Sequence, residues 1–233
     1  MQLAGIILAA VLATGPALAD TITSARYTDP TDRYDHGVLG DKIEYGALEL
    51  KLNTGKRLRI VLPESRVFED TEPRVVDLDG DGAPEVIVVE TDINLGARLS
   101  VYGTTGLIAA TPHIGRTNRW LAPIGAADLD GDGTMEIAYV DRPHLARLIR
   151  VWRFRNGALK LVGELPGHTN HRIGEDNIAG GIRDCGNGTE MIVADGEWRN
   201  VVAITFDGGA FNATPIAPHK DRTSFAAALA CKN

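Results

Sequence analysis

Cysteine, net positive charge and long apolar segments are all scarce in this chain of 233 residues. The net charge of -7 argues against nucleic acid as a partner. Beyond residue 19 no apolar run is long enough to span a bilayer. The sequence also lacks a Gly-x-Ser-x-Gly elbow, a His-Glu-x-x-His helix and a phosphate-binding loop. Enzyme classes that depend on those motifs are therefore not indicated.

The apolar segment that is present lies at the very start of the chain. It ends in Ala17-Leu18-Ala19, a small-x-small pattern typical of signal cleavage, just before Asp20, the first charged side chain. The pattern predicts a signal peptide over residues 1–19 and a single exported domain over 20–233, without a membrane anchor after cleavage. The expected location is the periplasm or the extracellular space.

One nine-residue motif, Asp-x-Asp-Gly-Asp-Gly-x-x-Glu, occurs twice, at Asp77 and again 51 residues later at Asp128. Each copy places four carboxylates around one point, which is tolerable when a hard cation neutralises them, and calcium is the cation expected. An EF-hand begins in the same way but needs an acid at position twelve, where this chain has Val88 and Tyr139. The flanking residues also have the pattern of strands, so the EF-hand is rejected.

The sequence around the two motifs also repeats, with four short β-branched-rich runs in each copy. A period near fifty with four strands predicts an all-β fold, a small β-propeller of four-stranded blades. Four blades are favoured, and five apply if residues 21–44 hold a further partial unit. The C-terminal run is predicted to be a strand that closes the ring. The predicted units are residues 45–72 with 223–231, 73–115, 120–165 and 174–217.

A third copy of the acidic motif, near residues 184–190, has lost one position and contains Cys185. A third metal site is therefore doubtful. The second cysteine, Cys231, follows the proposed closing strand, which gives the two cysteines nearly equivalent positions in neighbouring units. Because inner strands converge toward a propeller axis, a Cys185–Cys231 disulfide is favoured over two buried thiols.

The two intact motifs resemble the FG-GAP/VCBS repeats of integrin-α-type propellers, in a form like that of exported bacterial proteins. In that family the loop joins the first and second strands of a blade and binds structural calcium. The resemblance implies that carbonyl groups of Ala83 and Thr134 complete the two shells. It implies carboxylate ligands at Asp77, Asp79, Asp81 and Glu85, and at Asp128, Asp130, Asp132 and Glu136.

Loops at the opposite end of the predicted blades gather basic, acidic and aromatic side chains. They form either a candidate ligand-binding face or a charged rim that keeps the domain soluble. The candidate residues are Arg116, Asn118, Arg119, Trp120, His171, Arg172, Glu175, Asp176, Asp195, Trp198, Arg199 and Arg222.

We interpret the chain as an exported, calcium-binding interaction module that is monomeric and is not primarily an enzyme. Its expected partner is a protein, a carbohydrate or a small anionic ligand. One alternative is a polysaccharide hydrolase or lyase that uses His171 with Glu175 or Asp176 as an acid/base pair beside Arg172. Another is a purely structural envelope protein. Fold alone does not choose among these.

Overall fold

The computed structural model describes residues 20–232, so the predicted signal peptide lies outside the described residues. The described part consists of strands and one short C-terminal helix. The elements are β1 (Ile22–Thr31), β2 (Glu44–Leu52), β3 (Arg57–Val61), β4 (Arg66–Phe68), β5 (Arg74–Val76), β6 (Glu85–Asp92), β7 (Gly96–Gly103), β8 (Gly106–Ala110), β9 (Leu121–Ala127), β10 (Glu136–Asp141), β11 (Leu148–Arg155), β12 (Ala158–Pro166), β13 (His168–Thr169), β14 (Gly181–Asp184), β15 (Thr189–Asp195), β16 (Asn200–Phe206), β17 (Phe211–Pro218) and α1 (Arg222–Leu229).

The strands form three antiparallel sheets, which confirms the predicted all-β class. The first sheet has the order β1-β2-β4-β6-β7-β8, with β3 also paired to β2 and β5 to β6. The second has the order β12-β11-β10-β9. The third has the order β13-β15-β16-β17, with β14 also paired to β15. From β5 onwards, each sheet thus contains four strands, consecutive in the chain, that pair antiparallel as a meander: β5 to β8, β9 to β12 and β14 to β17.

The second strand of each repeat lies in the middle of its sheet and is rich in β-branched or aliphatic residues. All eight residues of β6 and all six of β10 are buried. Side chains of the first and second sheets share one apolar core around Ile87, Leu99 and Trp120. Those of the second and third sheets share another around Val151 and Val193. Burial on both faces explains the continuous apolar runs in the sequence.

The N-terminal strands are joined to the first sheet through β4. β1 pairs along β2, from Ile22 opposite Leu52 to Thr31 opposite Glu44. The short β4 then joins β2 to β6, because it pairs with both strands. The strand that lies along β2 is thus β1, which begins just after the predicted cleavage site. Residues 20–232 form three hydrogen-bonded sheets, and the division into four blades stays a prediction.

The prediction that a C-terminal strand closes the ring is wrong, because this segment is the helix α1. The Asp221 carboxylate accepts the backbone N–H of Thr223 at 2.8 Å and the Ser224 hydroxyl accepts that of Asp221 at 3.5 Å, which together form a capping box. The following alanines have the highest helix propensity. Phe225 and Ala228 are the buried residues of the helix and pack on the third sheet. No helix within residues 20–232 is long and apolar enough to cross a membrane.

A disulfide joins Cys185 and Cys231, as predicted, with their Cα atoms 5.8 Å apart. Its surroundings differ from the prediction, because Cys231 follows α1 and not a closing strand. The bond attaches the C-terminal helix to the loop between β14 and β15. It closes a segment with a sequence separation of 46 residues.

Replacing both cysteines by serine should lower the free energy of unfolding by about 2–4 kcal/mol, because the unfolded chain regains the entropy of a long open loop. Urea unfolding of the double variant measures this loss. Wild-type protein kept in reductant should unfold at the same urea concentration as the variant. An unchanged midpoint in both samples would contradict a stabilising role for the bond.

Candidate functional site

The first acidic motif forms the loop between β5 and β6. Positive φ angles at Gly80 and Gly82, 75° and 83°, let the backbone fold around the carboxylates, a conformation that favours glycine. The Asp77 carboxylate accepts the N–H groups of Gly80 at 2.8 Å and Gly82 at 3.0 Å. The Glu85 carboxylate accepts the N–H of Leu78 at 2.9 Å. The loop is therefore preorganised by its own carboxylates.

The second motif, between β9 and β10, repeats this geometry. Asp128 accepts the N–H groups of Gly131 at 2.8 Å and Gly133 at 3.0 Å, and Glu136 accepts that of Leu129 at 2.9 Å. The two motifs are thus structural copies as well as sequence copies. Both motifs end at the same position of the following strand, since Glu85 begins β6 and Glu136 begins β10.

Three of the four predicted carboxylates in each loop converge. Oxygens of Asp77, Asp79 and Glu85 all lie within 4.8 Å of one another, and those of Asp128, Asp130 and Glu136 do the same. This all-oxygen donor set fits a hard divalent cation. The fourth acid of each loop supports the turn, because Asp81 accepts the N–H of Ala83 at 2.7 Å and Asp132 that of Thr134 at 2.8 Å. Carbonyl ligation by Ala83 and Thr134 stays a prediction.

The carboxylates of the first loop lie close together, and their mutual repulsion favours a positive charge beside them. Burial raises the pKa of Glu85, and the nearby carboxylates of Asp79, Asp81 and Asp77 raise it further. A bound cation would offset this repulsion.

The second loop differs in one important side chain, Arg153 of β11. Its guanidinium pairs with Glu136 at 2.6 Å, with Asp132 at 3.1 Å and with Asp130. Burial raises the pKa of Glu136, but the hydrogen bond from Arg153 opposes that change. Part of the negative charge in this loop is thus neutralised by the chain itself.

The predicted ligand face lies at the other end of the same strands. The loop of residues 116–120 enters β9 at Leu121, whereas the second acidic loop follows the end of β9 at Ala127. Residues 172–176 precede β14, and the turn at 195–199 joins β15 to β16 at the matching end. The face therefore lies opposite the acidic loops.

One cavity on this face, which we call the Arg172–Trp198 cleft, has a volume of about 210 Å³. The guanidinium carbon of Arg172 lies 4.3 Å from the centre of the Trp198 ring, a cation–π contact. Arg222 pairs with Asp176 at 3.2 Å. Lys220 adds a further positive charge, while Glu175 and the helix-capping Asp221 also line the cleft. The cleft combines an aromatic wall with three basic side chains.

A smaller cavity of about 30 Å³, which we call the His36 cleft, lies between the first and second sheets. Trp120 is buried in its wall and donates its indole N–H to the carbonyl oxygen of Glu69 at 2.8 Å. Burial, followed by the neighbouring histidines 171 and 36, lowers the pKa of His144 to about 4, so this ring is uncharged at neutral pH. The cleft is lined by His36, Asn118, Arg119, Trp120, Arg142, Pro143, His144 and Leu145.

The predicted acid/base pair at His171 does not form. His171 is buried, and its Nδ1 contacts Nε2 of His144 at 2.9 Å. Its Nε2 contacts the backbone carbonyl of Glu175 at 2.9 Å, and not a carboxylate. Burial lowers its pKa. The ring has a structural role between Trp120 and His144.

Four other residues of the predicted face line neither cleft, and one of them, Asp176, pairs with Arg222 as described above. Asp195 accepts the N–H groups of Arg199 and Asn200 at 2.8 and 3.0 Å, so it caps the turn between β15 and β16. Arg199 is exposed and pairs with Glu197 at 3.4 Å. Arg116 is exposed. The structure divides the predicted face into two separate clefts with supporting turns between them.

Comparison with known proteins identifies the repeat that carries the acidic loops. A family model described as an FG-GAP-like repeat matches residues 74–139. Residues 74–139 are therefore similar to an FG-GAP-like repeat. The FG-GAP-like match begins with β5 and ends within β10, so it contains both acidic loops.

Two solved structures resemble this chain in fold. The exotype rhamnogalacturonan lyase YesX has a TM-score of 0.50 and 19% identity, over 82% of this chain and 40% of that protein. The rhamnogalacturonan lyase YesW has a TM-score of 0.49 and 16% identity, over 86% of this chain and 50% of that protein. The chain therefore spans about half or less of each enzyme. The likeness to YesX supports a β-propeller-like fold. No curated protein matches the chain.

Beside the FG-GAP-like repeat, the structure contains a buried polar cluster that sequence reasoning missed. Nδ1 of His36 contacts the fully buried Glu69 carboxylate, which also accepts the hydroxyl of Thr91 at 2.6 Å. Asp70 forms a second buried pair with Arg74 at 2.7 Å. No motif links these residues, because His36 and Glu69 lie in loops that only the fold brings together.

Glu44, at the start of β2, is 3% exposed beside this cluster. Burial, followed by Glu69, Asp41 and Asp70, raises its pKa from 4.5 to about 9. Because the folded state holds this proton more tightly, the stability that Glu44 contributes is present below pH 4.5 and is lost as the pH rises towards 9.

Glu44→Gln should therefore gain stability relative to the wild type as the pH rises through this window, measured by urea unfolding at several pH values. Glu49→Gln on the same strand is the control. A hydrogen bond from Arg26 lowers the pKa of Glu49, so that variant should show no such gain. Parallel pH profiles for Glu44→Gln and the wild type would contradict the assignment.

Proposed function

We propose that the chain is an exported, calcium-stabilised, β-propeller-like module that binds an acidic glycan at the end opposite its cation loops. The observation that carries the ligand assignment is the Arg172–Trp198 cleft. The FG-GAP-like repeat and the converging carboxylates support calcium. The Cys185–Cys231 disulfide supports export into an oxidising compartment.

Calcium is favoured over other cations because the donors are carboxylates on a flexible glycine-containing loop. Such donors suit a large hard ion with a variable coordination number, whereas Mg²⁺ requires near-ideal octahedral geometry. Thiolate or imidazole donors, which favour zinc and copper, do not belong to either of the two clusters. The metal stabilises the loop and leaves the chemistry of the opposite end to other residues.

Calcium should raise the melting temperature of the EDTA-treated protein, because it binds the folded loop and not the unfolded chain. Differential scanning fluorimetry with increasing calcium measures the shift. Glu85→Gln should lose most of it, while Glu49→Gln should retain it. The calcium assignment is contradicted if the wild-type melting temperature is the same in EDTA and in saturating calcium.

The ligand proposal follows from the chemistry of the Arg172–Trp198 cleft. Aromatic rings stack on sugar faces, and guanidinium groups bind carboxylates through paired hydrogen bonds. Arg222 is about 60% exposed at its side chain, so its pairing with Asp176 leaves it accessible. YesX is a rhamnogalacturonan lyase. A uronate-bearing polysaccharide therefore matches both the cleft and the fold of this neighbour.

Arg172→Ala and Arg222→Ala should each weaken binding to soluble rhamnogalacturonan about tenfold or more, since a charge-assisted hydrogen bond contributes about 1.5–3 kcal/mol. Arg116→Ala is the control, because Arg116 is exposed on the same face but lies outside the cleft. Isothermal titration calorimetry gives the affinities, with a neutral galactan as the second control. Equal binding of the two polymers, or equal affinity of all variants, would refute the proposal.

A second candidate function, a polysaccharide lyase, is favoured by the His36 cleft. The Glu69 carboxylate orients His36 through Nδ1, which leaves Nε2 to accept the proton beside a uronate carboxylate. Arg119 lines the same cleft and would neutralise that carboxylate. The electrons of the broken C–H bond form the C=C bond, the adjacent glycosidic C–O bond breaks, and the leaving oxygen takes a proton from water.

Incubation with rhamnogalacturonan tests this activity through the ultraviolet absorbance of unsaturated uronate. Activity that is lost in His36→Gln and retained in His113→Gln would establish the lyase. No product at high protein concentration would leave the binding module as the function. Both outcomes are independent of the calcium test, because that test measures melting temperature.

A further inference from the structure

Three glutamates occupy equivalent positions at or near the start of the second strand of each repeat. The register of the sheets identifies them, because Val76 pairs with Glu85 and Ala127 with Glu136. In the third sheet Arg183 pairs with Glu190. Each glutamate therefore has a defined neighbour on the first strand of its repeat, and that neighbour is basic only in the third repeat.

The neighbour on the third strand also differs. Glu136 pairs directly with Arg153. In the first sheet Val86 pairs with Tyr102, which places Gly103 beside Glu85. In the third sheet Met191 pairs with Ile204, which places Thr205 beside Glu190. Glu136 of the second repeat thus has Arg153 beside it on the third strand. Glu190 of the third repeat has Arg183 beside it on the first strand.

The contacts follow this register. Arg153 donates to Glu136 at 2.6 Å, and Arg183 donates to Glu190 at 2.7 Å and to the Ala228 carbonyl of α1 at 2.6 Å. Within residues 20–232, no ion pair reaches the three converging carboxylates of the first loop, because Val76 and Gly103 hold the positions that are basic elsewhere. The first loop is the one that the chain leaves without its own counter-charge.

Arg153 also occupies oxygens that a cation would need. It takes Oε1 of Glu136 and Oδ2 of Asp130, while Oε2 of Glu136 accepts the N–H of Leu129. A cation that enters the second loop competes with this guanidinium for Glu136 and Asp130, and weakening these charge-assisted hydrogen bonds has a free-energy cost. The first loop imposes no such cost.

We propose that Arg153 is a built-in counterion that makes the second loop a weak calcium site, while the first loop is the high-affinity site. In the third repeat, Arg183 and the Cys185–Cys231 disulfide replace the metal entirely. This inference rests on the proposed calcium binding and assigns unequal roles to two loops with the same sequence motif.

Calcium titration of the mature chain by isothermal titration calorimetry tests the inference. The wild type should bind one ion tightly and a second at least tenfold more weakly. Glu85→Gln should remove the tight event, and Glu136→Gln should leave it unchanged. Arg153→Gln should strengthen the second event about ten- to a hundredfold, the equivalent of one or more charge-assisted hydrogen bonds.

Arg155→Gln is the matched control, because Arg155 lies on the same strand and is exposed near both loops without an ion pair to them. Its charge acts on Asp132 only across a distance, so this variant should strengthen the second event far less than Arg153→Gln does. A melting series checks that the variants fold: Arg153→Gln should melt below the wild type in EDTA and recover in saturating calcium. The double variant Glu136→Gln with Arg153→Gln should lose the part of this rise in melting temperature that calcium at the second loop provides.

Two tight, equivalent sites in the wild type, or unchanged titration of Arg153→Gln, would overturn the inference while leaving calcium binding intact. Absence of any calcium binding in both wild type and Arg153→Gln would instead overturn the proposed calcium function itself. The two failures are therefore distinguishable from one experiment.

Discussion

Neutralisation of the carboxylates at the start of the second strands is the constraint on which this structure depends. Glu85 and Glu136 enter the buried middle strands of their sheets, and each carries two converging aspartates with it. Buried carboxylates without positive charge are costly, so the loops require a counter-charge to hold their geometry. The fold meets this need with loops shaped for a cation and, in later repeats, with arginines.

The same strands separate the proposed calcium-binding loops from the proposed glycan-binding cleft. β9 and β10 connect the acidic loops at one end to the clefts at the other, and their middles form the apolar cores between sheets. A cation at one end would thus stabilise the strands that position Trp120 and the residue 116–120 loop at the opposite end. The third sheet, whose own acidic motif has decayed, is instead completed by α1 and the disulfide. That helix also supplies Arg222 to the Arg172–Trp198 cleft.

Local patterns in the sequence predict the parts of the structure that local chemistry determines. The acidic loops, the central strands and the pairing of Cys185 with Cys231 follow from residue spacing and burial. The C-terminal helix was missed because the repeat pattern suggested a closing strand, although Asp221 and the alanines after it favour a helix. His171 was misread because its partners, His144 and Trp120, are brought to it by packing between distant segments. The Arg153 pairing depends on strand register, which the motif alone does not reveal.

The central claim is that two copies of one motif hold calcium unequally because one of them already contains an arginine. The most direct measurement is anomalous diffraction from crystals of the mature chain soaked in limiting calcium or a lanthanide. The account predicts one strong peak among Asp77, Asp79 and Glu85, and a much weaker peak among Asp128, Asp130 and Glu136, where Arg153 stays paired with the glutamate. Two peaks of equal height, or no peak at the first loop, would contradict it.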